Sequence, residues 1–151
     1  MPLNIRLTEM IGVIGCIDPD VHTAAAYITD EVDMNKWSRV LFIVMAGTLG
    51  SSATLDFAVK GGATTNAGSH STAVTGKSIT QVTQGGTDGS DKQYLVEVTA
   101  EECAAQGLNF IEGTMTIGTA TSDAGVVVIG LREDYSDVTD QDLASVTEIV
   151  A

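Results

Sequence analysis

Two kinds of strand pattern recur along this chain. Residues 40–46 and 126–131 are unbroken apolar runs rich in β-branched side chains, and such short runs predict strands that are covered on both faces. Residues 54–60 alternate apolar and polar positions, which is typical of a strand with one buried and one solvent-facing side. Because residues 47–52 include two glycines and two serines, which favour turns, the region 40–60 is predicted to be a β-hairpin.

Shorter patterns predict most of the remaining structure. Further strands are predicted at residues 22–29, 77–83, 94–98 and 109–117. In the last of these, the alternation places Met115 inward and Glu112 outward. Thr99 followed by Glu102 matches a helix capping box, so we expect a short helix that begins at Thr99 and ends near Gly107.

Seven or so short strands with little helix predict an all-β, single-domain protein with an antiparallel β-sandwich or jelly-roll-like architecture. The predicted units are an extended N-terminal arm (1–21), the β-sandwich (22–135) and a C-terminal tail (136–151). Residues 61–76 are too polar for the core and are predicted to form an exposed, mobile loop.

The apolar arm must bury itself on its own domain or on a neighbouring molecule, and the sequence leaves both possibilities open. Aromatic residues dominate binding hot spots, so two of them join the arm residues as candidates for an interface, with core packing as their alternative. The interface candidates are Leu3, Ile5, Leu7, Ile11, Val13, Trp37 and Tyr135.

Composition narrows the classes of partner. The 151 residues carry a formal net charge of −13, which opposes direct contact with nucleic acid, because such contact requires a basic surface. No apolar run approaches the roughly 20 residues that span a bilayer, and residues 1–6 lack a secretory signal pattern. We therefore expect a protein that is made and used without export, with Cys16 and Cys103 as thiols.

Catalytic and metal-binding patterns give no positive prediction. The sequence has two histidines, His22 and His70, and neither has a cysteine, aspartate or glutamate at metal-ligand spacing. Both are predicted to be surface residues. Residues 85–89 are glycine-rich but lack the lysine and hydroxyl residue of a phosphate-binding loop. We therefore expect no catalytic residue, metal or cofactor, and no enzyme activity.

Five segments resemble small virion structural proteins of tailed bacteriophages, and the likeness extends over about residues 22–135. They are SRVLFIVMAGTLG (38–50), TLDFAVK (54–60), GKSITQVTQGGT (76–87), DKQYLVEV (91–98) and MTIGTATSDAGVVVIGLR (115–132). The resemblance implies a capsid decoration, or cement, protein. Such a protein is a β-sandwich, often a homotrimer, that binds the major capsid protein on the outside of an icosahedral shell assembled in the host cytoplasm.

Two alternatives to a decoration protein stay open. One is a tail-associated virion protein, such as a tube, terminator or spike-base protein. The other is a carbohydrate-binding β-sandwich, although an aromatic content of 5% offers few stacking residues.

Overall fold

A computed structural model describes residues 7–85 and 89–131. In that part of the chain, ten strands and two short helices follow one another. They are α1 (Leu7–Met10), β1 (Ile11–His22), β2 (Ala26–Ile28), β3 (Val32–Asp33), β4 (Arg39–Ala46), β5 (Thr54–Gly62), β6 (Thr72–Ser78), β7 (Val82–Thr83), β8 (Lys92–Thr99), α2 (Ala100–Ala105), β9 (Phe110–Gly118) and β10 (Ser122–Leu131).

The strands form two antiparallel sheets that pack against each other. The four-stranded sheet has the order β1-β10-β4-β8. The six-stranded sheet has the order β2-β9-β5-β6, with β3 also paired to β9 and β7 to β5. The predicted all-β sandwich is confirmed, and the two unbroken apolar runs lie side by side as β4 and β10 in the middle of the four-stranded sheet. The predicted hairpin over residues 40–60 is wrong, because β4 and β5 lie in different sheets and residues 47–53 carry the chain from one sheet to the other.

The centre of the core is a pair of phenylalanines, one from each sheet. Phe42 on β4 and Phe57 on β5 are almost fully buried, and their ring centroids lie 5.6 Å apart at an interplanar angle of 51°. Gly113 on β9 leaves room for them, because a β-carbon there would lie 2.6 Å from Cζ of Phe57. The two rings therefore join the sheets through a space that a larger residue would fill.

Trp37 belongs to the core and not to an exposed surface. Its exposed fraction is 3%, and a β-carbon at Gly130 would lie 2.4 Å from its Cε3 atom. The indole thus packs on the bare backbone of β10. Of the two roles considered for Trp37, interface anchor and core residue, the structure shows the second.

The segment predicted as an arm contributes a full strand. β1 pairs with β10 from Ile11 opposite Leu131 to His22 opposite Ser122, with two register shifts on the way. Residues 11–21 are therefore part of the sandwich, and the sandwich begins eleven residues earlier than predicted. Leu7 in α1 is exposed, whereas Leu3, Ile5, Tyr135 and the tail 136–151 lie outside the described residues.

The helices are short. α2 begins after Thr99 with the predicted capping box, and Gly107 follows it with a φ of 71°, which is a conformation that glycine adopts at low cost. Within residues 7–85 and 89–131, no helix has the length and apolarity needed to cross a membrane.

Candidate docking face and buried carboxylate cluster

The outer side of the four-stranded sheet is apolar. The register of its strands aligns Cys16, Val127, Ile43 and Leu95 in one row across the sheet. The neighbouring rows are apolar on β1 and β10 but take in polar residues at the β8 edge, where Leu41 lies opposite Glu97 and Met45 opposite Gln93. We call this surface the apolar face; it consists of Ile11, Val13, Cys16, Leu41, Ile43, Met45, Leu95, Val127, Ile129 and Leu131.

The two sides of β4 explain how this face arises. Val40, Phe42 and Val44 point inward and are fully buried. Leu41, Ile43 and Met45 point outward and are only half-buried. The prediction that this strand is covered on both faces therefore holds on its inner side, while its outer side keeps apolar surface in contact with solvent.

The opposite surface of the sandwich has a different character. On the outer side of the six-stranded sheet, β5 presents Thr54, Asp56 and Lys60 between its buried residues, and Gln81 donates a 2.8 Å hydrogen bond to Asp56. This outer face is therefore mainly polar, although Ala58 on β5 and the exposed Ile28 on β2 also lie on it. Apolar patches of a few hundred Å² are often functional, so the apolar side is the candidate docking face.

Charged residues border the apolar face. At one end Arg39 and Glu97 form an exposed ion pair at 3.0 Å, which contributes little to stability because water screens it. At the other end Asp18, Asp20 and Asp123 are exposed on β1 and β10. The face therefore lies between a mixed-charge end and an acidic end.

A buried carboxylate lies beneath loop 63–71 on the opposite, six-stranded sheet. Glu112 on β9 has no exposed surface. Its carboxylate accepts the backbone N–H groups of Gly68 at 2.7 Å and His70 at 2.9 Å. Glu112 lies on the outer side of its strand, but the prediction that this side faces water was wrong here, because the loop covers it.

A second carboxylate holds the same loop from its other side. Glu31 accepts the backbone N–H of Asn66 at 2.7 Å and the ring Nε2–H of His70 at 2.6 Å. It also accepts the hydroxyl of Thr65. We call Glu31, His70 and Glu112 the carboxylate cluster.

The protonation of Glu31 is shifted by this environment. Burial acts to raise the pKa of Glu31, but the hydrogen bonds from Thr65, Asn66 and His70, together with the charge of His70, outweigh it and hold the pKa below its usual value. The ionised form is therefore favoured in the folded protein.

The carboxylate cluster corrects two predictions. His70 is 7% exposed and His22 is 9% exposed, so the prediction that both are surface residues was wrong. Of the segment 61–76 predicted as an exposed loop, residues 63–69 are exposed, but 61–62 and 72–76 belong to β5 and β6, and Val74 is buried in the core. Three of the loop's backbone N–H groups bind carboxylates. No signal in the sequence indicated this arrangement, because Glu31 lies in a polar connection and Glu112 occupies an alternating position like those of Thr114 and Thr116.

The chemistry available to this cluster is hydrogen-bond acceptance. Its carboxylate oxygens are engaged with the loop, and among the described residues no group of three or more histidine, cysteine, aspartate or glutamate side chains has a geometry suited to a metal ion. Its evident effect is to hold a polar loop in one place.

A groove of about 640 Å³ lies between β6 and β8, where the sandwich is open at one side. Its lining residues are Gly76–Thr80 and Gln93–Glu97, and Tyr94 is the aromatic one among them. A single aromatic ring gives little basis for sugar stacking, so the groove lends no particular support to a carbohydrate-binding module.

The two thiols differ in accessibility. Cys103 in α2 is fully buried, and burial, with a further contribution from Glu102, raises its pKa to about 11. Cys16 is partly exposed on the apolar face.

Compared with known proteins, the chain matches no family model and no curated protein sequence.

Proposed function

We propose that this chain is a non-enzymatic virion structural protein of a tailed bacteriophage that decorates the capsid shell and binds it through the apolar face. The observation that carries the proposal is the contrast between the apolar outer side of the four-stranded sheet and the mainly polar outer side of the six-stranded sheet. The resemblance of five sequence segments to phage virion proteins supplies the kind of partner, the major capsid protein.

The size of the apolar face favours a partner that is present in many copies. Across the sheet the face spans three strand spacings of about 4.8 Å, and along the strands it spans three two-residue steps of about 6.6 Å. Its area is therefore on the order of 300 Å². A stable interface buries about 800 Å² on each partner, so one face on one partner gives a weak contact. A homotrimer, with about 900 Å² in three faces, would reach that size and gain avidity on a repeating shell.

Charge is consistent with the same role. A net charge of −13 per chain keeps separate homotrimers apart in solution, whereas an apolar contact on the shell is short-ranged and less sensitive to that repulsion once it forms. Binding the assembled shell and not its free subunits would stabilise the shell by mass action.

The test is binding to virions of the phage that encodes the chain. Purified protein, labelled with a fluorophore, is mixed with particles that lack it, and the bound copies per particle are counted after sedimentation. Ile43→Lys places a charge at the centre of the apolar face and is expected to abolish binding, because the buried ammonium would have no partner. Thr116→Lys, on a central strand of the other sheet, is the matched control and is expected to bind normally.

Two results would refute the proposal. One is that Ile43→Lys binds as well as the unmodified chain. The other is that the protein is absent from purified particles, or is located on the tail by gold labelling; the latter would favour the tail-associated alternative.

A further inference from the structure

We propose that Glu31, His70 and Glu112 form a proton-operated latch, which holds loop 63–71 on the six-stranded sheet while Glu31 is ionised and releases it when Glu31 is protonated. The device is independent of the apolar face, which lies on the other side of the sandwich.

The first support is that every hydrogen bond between the loop and this cluster is accepted by a carboxylate oxygen. Glu31 accepts three hydrogen bonds, from Thr65, Asn66 and His70. Protonation turns one of its oxygens into a hydroxyl, which is a donor and a poor acceptor. Protonation of Glu31 therefore removes the charge that strengthens all three bonds, and at least one contact must exchange donor and acceptor. Charge-assisted hydrogen bonds are about twice as strong as neutral ones, so the loop is held less firmly.

The second support is the burial of the His70 ring against Glu31. The titratable groups nearest His70 are Glu31 beside its ring and Glu112 beneath its backbone N–H on β9, and Lys60 on β5 lies opposite Glu112 in the strand register. The His70 side chain is 3% exposed and its Nε2 lies 2.6 Å from Glu31. Weakening that contact leaves a buried polar ring without a strong hydrogen-bond partner, which is costly.

The third support is that the loop can leave without unfolding the sandwich. Residues 63–69 are exposed, so their release uncovers little apolar surface. The strands beneath them, β5 and β9, are paired with each other along nine positions and bury their inward residues in the core. The loop is also held by Asn109, whose side chain donates a 3.0 Å hydrogen bond to the carbonyl of Ala63. Release is therefore a local opening whose free energy is set by that bond and by the carboxylate bonds.

Three amide protons report directly on the latch. The N–H of Asn66 binds Glu31, and the N–H groups of Gly68 and His70 bind Glu112. Amide hydrogen exchange by NMR on the full chain measures them individually, with Val44 and Val126 on buried central strands as references for global unfolding. Protection is corrected for the pH dependence of intrinsic exchange.

In the unmodified chain we expect the three reporters to lose protection together as the pH falls below about 4.5, the ordinary value for glutamate, while Val44 and Val126 stay protected. Glu31→Gln is expected to raise reporter exchange roughly 10- to 100-fold at neutral pH, the equilibrium equivalent of a charge-assisted hydrogen bond, and to remove the acid step. Glu97→Gln, an equal charge change in an exposed ion pair, is expected to change neither.

A second variant covers the case in which Glu31→Gln fails to fold. Thr65→Val removes one hydrogen bond that favours the ionised carboxylate, so the acid midpoint of the reporters is expected to move to higher pH. The latch is refuted if the reporters lose protection only together with Val44 and Val126, or if neither variant alters their exchange.

Discussion

Adding a single methyl group at Gly113 probes how tightly the two sheets are joined. The new β-carbon of Gly113→Ala would lie 2.6 Å and 2.8 Å from two ring carbons of Phe57 and 3.1 Å from Cδ1 of Phe42. Ordinary carbon–carbon contacts are about 3.5–4.0 Å. One ring or one strand must therefore move by about 1 Å in a core that is closely packed.

Two effects of opposite sign decide the outcome. Replacing glycine by alanine removes freedom from the unfolded chain, which stabilises by about 0.4–1 kcal/mol where the new residue fits. Overpacking a core typically costs about 1–3 kcal/mol. Because Phe57 and Phe42 are 1% and 0% exposed, neither ring can swing into solvent. We therefore expect the overpacking cost to dominate, with a net destabilisation of up to about 2.5 kcal/mol, or up to roughly 10 °C in Tm.

Urea unfolding followed by fluorescence of Trp37 is the assay, since this is the sole tryptophan and it is buried in the native state. Gly85→Ala is the matched control, because a β-carbon there meets nothing within 4 Å, and it is expected to be neutral or slightly stabilising. Phe57→Leu replaces the ring that obstructs the new β-carbon with a smaller side chain. The double variant Gly113→Ala/Phe57→Leu is therefore expected to be more stable than the sum of the two single losses in unfolding free energy predicts.

If Gly113→Ala were as stable as Gly85→Ala, there would have to be unfilled space between the two sheets. That result would contradict the tight packing inferred for the core. Additive single and double variants would show that Phe57 does not provide the obstruction.

Further predictions concern single groups. Cys103, which is fully buried and has its pKa raised to about 11, should resist alkylation at pH 8 until urea unfolds the chain, whereas Cys16 should react in the native state; equal rates for both thiols would contradict this. The hydroxyl of Thr114 is buried without a hydrogen-bond partner among the described atoms, so Thr114→Val should stabilise the chain by about 1 kcal/mol in urea unfolding, and a loss of stability would show that the hydroxyl is satisfied. The pKa values of Glu31 and Glu102 are lowered on folding, so their contribution to stability is present above about pH 4.5 and is lost as the pH falls through the lower folded values; thermal melts from pH 7 to pH 3 should show that decline, and a flat profile would refute it.

The pattern of the sequence was enough to predict the sandwich. Apolar runs and alternating segments define strands whatever their neighbours are, so β4, β5, β9 and β10 were recoverable, as was the helix that begins after Thr99 with its local capping box. The apolar face also follows from the sequence in part, because a strand that is apolar on both sides must either be covered or expose one side.

The carboxylate cluster could not be predicted in the same way. In the alternating pattern of β9, Glu112 falls on the side that is expected to face solvent. It is buried because loop 63–71 folds over that side of β9. His70 and Glu31 lie 39 positions apart in the sequence, and their contact depends on how the two sheet edges are placed. Trp37 shows the same limit, since its burial depends on the missing side chain at Gly130 on a distant strand.

The pairing of Ile11 with Leu131 has a practical consequence for engineering. Whatever precedes β1 and whatever follows β10 emerges from adjacent positions at a single corner of the four-stranded sheet. A short linker could therefore fuse the two strand ends, and new termini could be opened in the exposed stretch 63–69, on the far surface. In such a circular permutant a displayed peptide would point away from the apolar face and leave it clear.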